Sequence, residues 1–179
     1  NMKKIFLHFT VLTVLILNST AQTVTDIDGN VYTTVKIGTQ VWMKENLRTT
    51  RYNNGVLIPN VINPTTWTNI ATGARCYYNN DSTTYAAEFG KLYNWYAVND
   101  PRGLAPVGWH VPSKAEWTTI ESYLGGALVA GGAMKETGTT HWLTPNTGAT
   151  NSSGFTGLPC SSRNPVGTFS IVGSDGDWW

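Results

Sequence analysis

Alternation of apolar and polar positions is clearest at Val31-Tyr32-Thr33-Thr34-Val35-Lys36-Ile37, where Gly38-Thr39 interrupts the pattern and Gln40-Val41-Trp42-Met43 resumes it. Two alternating runs joined by a glycine-bearing turn predict a β-hairpin. Asp26-Ile27-Asp28-Gly29-Asn30, just upstream, is turn chemistry. From Arg48 to Thr72, Asn53-Asn54-Gly55, Pro59 and Pro64 recur at short intervals and predict a long ordered loop with brief extended pieces. Aromatics return at Cys76-Tyr77-Tyr78. Tyr85 to Phe89 suits a short helix, and Lys91 to Val98 suits a buried turn-to-strand passage closed by Asp100-Pro101-Arg102-Gly103.

Helical spacing appears after Pro112. Ser113 and Glu116 form a capping-box pair, in which the serine side chain accepts from the Glu116 N–H while the carboxylate returns to the Ser113 N–H. A helix is expected from Ser113 to about Leu124, with Trp117, Ile120 and Leu124 on its buried face and Gly125-Gly126 ending it. Gly131 and Gly132 then break the chain, and Thr137 to Gly154 reads as a polar surface loop around His141 and Trp142. The pattern predicts an α+β fold: a twisted, mostly antiparallel sheet with one or two helices and long loops.

Composition separates the N-terminus from the rest. Lys3 and Lys4 precede an apolar run from Ile5 to Leu17, followed by Ser19, Thr20 and Ala21, the layout of a secretory signal cleaved after Ala21. The run is shorter than the roughly 20 residues a membrane span needs, so no span is expected in residues 22–179. Those residues form one expected domain. Without the leader, ten basic residues face 11 acidic ones, a net charge of −1, which excludes a nucleic-acid partner recognised through a basic surface. Charged residues make up 13% of the chain, while Thr, Asn, Gly and Ser are plentiful. Such a surface suits an extracellular protein that recognises a glycan or a surface partner.

The blocks Asp26 to Tyr32, Gln40 to Leu47, Gly90-Lys91-Leu92-Tyr93-Asn94-Trp95-Tyr96-Ala97-Val98, Gly108-Trp109-His110-Val111-Pro112-Ser113 with Glu116-Trp117, and Asn146 to Phe155 resemble the Fibrobacter succinogenes major paralogous domain, a group of secreted or surface proteins. The Trp109 to Trp117 block is also similar to a segment of the formylglycine-generating-enzyme superfamily. That similarity implies a C-type-lectin-like arrangement. Members of the resembled family continue past a tryptophan block like Asp177-Trp178-Trp179, so residues 22–179 are expected to lack C-terminal strands. That lack would leave the Val31 to Ile37 hairpin with an open edge and exposed apolar surface.

Candidate chemistry is sparse. Trp142, beside His141 in a polar loop, is the leading surface candidate for stacking on a sugar, with Trp67 behind it. Trp42, Trp109 and Trp117 fall on buried periodicity and are expected to be scaffold. Asn79, Asn80 and Asp81 offer hard oxygen atoms for a ligand, although a polar turn accounts for them as well. A calcium loop at Asp26 to Asn30 fails because Val31 and Ile37 occupy positions that need glycine and a bidentate carboxylate. The lectin triplets that bind calcium and sugar are absent, and no cofactor is expected. Cys76 and Cys160 either bridge in an oxidising compartment or remain two buried thiols. The cysteine-dependent oxidation implied by the formylglycine resemblance needs neighbouring cysteines near the C-terminal end, which the sequence lacks. His110 finds no nucleophile and orienting carboxylate to make a catalytic set. The expected function is a secreted or cell-surface, periplasmic at the innermost, non-catalytic recognition domain. The alternatives are a structural module of a surface assembly and an oxidase.

Overall fold

A computed structural model describes residues 22–179; the expected leader, 1–21, lies outside the described residues. β1 (Thr23–Thr25), β2 (Val31–Ile37) and β3 (Gln40–Met43) form an antiparallel sheet in that order. The β1–β2 turn is built on Asp26. Its carboxylate accepts from the backbone N–H groups of Asp28 and Asn30, from the Asn30 amide at 2.8 Å and from the Tyr32 hydroxyl at 2.6 Å. Gly38 turns the β2–β3 hairpin at φ +61°, with the Tyr123 ring packed on it. The register Val35↔Trp42 and Ile37↔Gln40 places alternate side chains on the face covered by a helix.

The loop expected between Arg48 and Thr72 contains α1 (Pro64–Asn69), started by Asn63, whose side chain accepts from the Thr66 N–H, with Pro64 at the first helical position. β4 (Arg75–Cys76) pairs with β5 (Leu92–Tyr93) in a second, two-stranded antiparallel ladder. Between them lie the 3₁₀ turn Tyr78–Asn80 and α2 (Ser82–Phe89), capped by Asp81. The helical turn α3 (Trp95–Val98) follows, its cap Asn94 also accepting from the Ala74 N–H. α4 (Lys114–Tyr123) has the expected capping box in full.

α5 (Ala127–Met134) corrects the expected break: Gly131 and Gly132 lie inside a helix. Packing selects one of them. A Cβ on Gly132 would sit 2.2 Å from the Gly148 carbonyl oxygen, so the helix passes a loop too closely for any side chain. Among the described residues, five α-helices rather than one or two therefore accompany the small sheets in a mixed α+β fold.

Three buried clusters hold the described residues together. Ile37, Trp42, Ile120 and Phe155 join the hairpin to α4. Tyr52, Ile58, Tyr93, Ala97 and Leu104 form a second cluster, and Val61, Trp67, Ala74 and Cys76 a third.

Candidate functional site

The residues singled out in the sequence do not converge. Trp142 is 6% exposed, donates its indole N–H to the Gly157 carbonyl at 3.0 Å and carries the Lys135 ammonium 4.3 Å from its ring. Trp67, 8% exposed, lies under the Arg163 guanidinium at 4.6 Å. Both indoles are buried, Trp67 at the lining of an open groove. The surface reading of both is corrected: each supplies a flat buried platform, and its loop wraps over it with a cation.

His141 sits between two carboxylates, Nδ1 at 2.8 Å from Glu136 and Nε2 at 3.2 Å from Glu88, with the Phe89 ring edge-on at 5.8 Å. The Glu136 hydrogen bond raises its pKa above 6.5. Asp81 is used as the α2 cap, accepting from the Thr83 and Thr84 N–H groups, and the Thr84 side chain, then these backbone bonds, lower its pKa. Asn80 donates to the Ile62 carbonyl at 3.1 Å, and Asn79 and Asn80 take the left-handed turn conformation. The Asp81 and His141 groups thus occupy opposite ends of α2, about 10 Å apart at 1.5 Å per residue. Cys76 and Cys160 are separate buried thiols, with no bridge. Burial pushes both up, Cys160 to about 11, which keeps them protonated and unreactive at neutral pH. Among the described residues, no three His, Cys, Asp or Glu side chains group as metal ligands.

The open groove, of about 880 Å³, takes in Trp67, Phe89 and Cys160 but not Trp142, His141 or Asn79 to Asp81. β3 and the following Lys44 to Leu47 form one wall, and Trp109, Trp117 and Tyr93 line it further along. The segment Asp177 to Trp179 crosses it: Trp178 donates to Asn46 Oδ1 at 3.2 Å, Trp179 donates to the Tyr93 carbonyl at 2.9 Å, and Trp117 donates to the Trp179 carbonyl at 2.9 Å. Trp42 stacks at 4.7 Å on Trp117.

Two features of the groove are unfinished. No strand among the described residues pairs with the outer edge of β3. Lys44 donates inward to the Thr33 carbonyl, so strand alternation turns the backbone N–H and C=O groups of Val41 and Met43 to the open side. Gln40 Oε1, Trp42 Nε1 and Asn46 Nδ2 are buried, line the groove and have no hydrogen-bond partner among the described residues. Sequence reasoning missed this site because its walls come from stretches remote from one another in the chain.

Among the described residues no helix is long and apolar enough to cross a membrane. These features define a small α+β domain with an aromatic groove beside an open strand edge. The chain matches the family model described as Fibrobacter succinogenes major domain over residues 35–179, and it belongs to that family. No curated protein and no solved structure matches it.

Proposed function

We propose that this chain is a secreted or cell-surface, non-catalytic recognition domain whose groove seats an extended segment of a surface protein. The observation that carries the reading is the open β3 edge flanked by three unpartnered buried polar atoms. A peptide backbone presents donors and acceptors alternately along one line, which is what an open edge and a mixed set of orphan atoms require; strand addition is a general mode of peptide recognition. The apolar lining supplies pockets for alternate side chains, and the volume lies in the range of about 300–1,000 Å³ usual for ligand sites.

Two of the groove's titratable groups, Glu116 and Cys160, support a non-catalytic role. Glu116 is engaged by Ser113 and His110, which hold it down at about 2, and Cys160 is held protonated. The leader-like N-terminus supports export. The C-type-lectin-like arrangement implied by the resemblance is part of this proposal, compatible with a hairpin packed on α4. A glycan is the second ligand class, favoured by the indoles of Trp109, Trp117 and Trp179 along the groove.

The test is selection from a displayed library of extended ten-residue peptides, run beside a polysaccharide panel, with amide exchange read at β3. Peptide binding should protect the Val41 and Met43 amides and be lost in Met43→Pro, which removes an outward N–H and leaves the inward ladder intact. Polysaccharide binding without that protection would transfer the groove to glycans. A folded protein that binds neither would overturn both readings.

A further inference from the structure

Where β4 and β5 pair, Arg75 faces Tyr93 and Cys76 faces Leu92, so the next step brings Tyr77 opposite Lys91. Alternation places Arg75, Tyr77, Lys91 and Tyr93 on one face. The Arg75 guanidinium lies 5.8 Å and the Lys91 ammonium 5.3 Å from the centroid of the Tyr77 ring. Lys91 Nζ also donates to the Arg48 carbonyl, which brings the segment of Arg48 against this face; the Arg48 guanidinium lies 5.4 Å from the Tyr32 ring and donates through Nη2 to the Val31 carbonyl at 3.0 Å.

Three cations therefore gather here, and among the described residues none of them has a carboxylate within ion-pair distance. The neighbouring carboxylates are committed elsewhere. Asp28 accepts from Thr50 and pairs with Arg51 at 3.4 Å, and Asp26 is closed by Tyr32 and Asn30. Nε and Nη1 of Arg75 and Nε of Arg48 are buried with no hydrogen-bond partner among the described residues. All three side chains remain partly exposed, and Lys91 also lines the groove.

We propose that Arg48, Arg75 and Lys91 form an oxyanion-binding site, with the Tyr77 ring as its floor. The free Nε and Nη1 of Arg75, the free Nε of Arg48 and the Lys91 ammonium supply charge-assisted donors to a carboxylate, sulfate or phosphate oxygen, an anion that arginine recognises better than other residues. Burial, then repulsion from Arg75, brings the Lys91 pKa down to about 8. A bound anion would offset that repulsion and keep the ammonium charged to higher pH. The site stands apart from the strand-addition reading, because it needs neither the β3 edge nor a peptide.

The probes are sodium acetate, sulfate and phosphate against chloride at fixed ionic strength and pH 7, on the whole chain. At least one oxyanion should raise the melting temperature saturably and slow reductive methylation of Lys91 while leaving Lys44 unaffected. Lys91→Met and Arg75→Met should weaken its binding by about tenfold or more, Lys91→Arg should retain it, and Lys135→Met should leave it unchanged. The preferred probe assigns the anion's class. If Lys91→Met does not fold, Arg75→Gln with the Lys91 labelling readout decides the matter. Oxyanion effects equal to chloride, or undiminished in the variants, would overturn the site.

Discussion

Lys135 over Trp142 and Arg163 over Trp67 show one device used twice: a cation closes the outer face of an indole whose inner face is core. Arg163 goes further. Its Nε donates to the Gly167 carbonyl, Nη1 to Val61 at 2.6 Å and Nη2 to Ile62 at 3.0 Å, while Phe169 packs 4.9 Å from the guanidinium carbon. A buried charge satisfied by three carbonyls ties residues 163–169 to the start of α1's loop. Arg163→Met keeps the volume but strands those carbonyls, and a loss of at least about 3 kcal/mol is expected in urea unfolding, since each of the three buried acceptors left without a donor costs about 1–3 kcal/mol. Trp142→Ala should cost about 3–5 kcal/mol by the same measurement, with groove binding unchanged in whatever fraction remains folded. Loss of binding at full stability would return Trp142 to the surface. The sequence hid this because a tryptophan flanked by Thr, Asn and Gly reads as a loop residue; nothing local reveals that the loop folds back over its own indole.

At the scale of elements, the legible parts are those whose signal is short-range. The β2–β3 hairpin and α4 follow from alternation, Gly38 and the Ser113/Glu116 pair, all within a few residues of one another. α1 was equally readable from Asn63-Pro64, yet the prolines around it suggested loop, and α5 was hidden because one of its two glycines, Gly132, answers to Gly148, a contact no short sequence window contains. Ser113→Ala should destabilise the protein by about 1 kcal/mol through loss of the cap. The element carrying a pH signal is α2. Glu88 from α2 and Glu136 after α5 both face His141, Phe89 covers its edge, and the folded pKa lies above 6.5. A raised pKa means that the folded state binds the proton more tightly. The stabilisation is therefore complete below pH 6.5 and fades as pH rises through the folded value. The difference in melting temperature between the parent and His141→Gln should be largest near pH 5.5 and shrink by pH 8; a flat or rising difference would show that the imidazole is held neutral.

For the molecule as a whole, the three clusters are small, and loops rather than long elements connect them. Cohesion between the hairpin–α4 cluster and the β4–β5 side rests heavily on Trp178 and Trp179. Trp178 packs 5.8 Å from Phe155 and donates to Asn46, while Trp179 lies 5.7 Å from Trp95 and joins the Tyr93 carbonyl to the Trp117 indole. The pair is 39% and 50% exposed, so each ring gives up part of its apolar surface to water and works as a bridge across the groove more than as core. That position was not legible in the sequence, where two terminal aromatics carry no periodicity; it follows from polar indole bonds to residues about 60 to 130 positions away. Replacing both with alanine should therefore uncouple the two sides as well as weaken them. Urea unfolding followed by tryptophan fluorescence and by far-ultraviolet circular dichroism should coincide in the parent and separate in the double variant, with a total loss below the roughly 3–5 kcal/mol typical of one fully buried aromatic. Coincident transitions in the variant would mean that the backbone bonds, such as Leu143 to Gly173 and Ser161 to Asp175, already unite the clusters, and that the terminal indoles shape the groove without holding the fold.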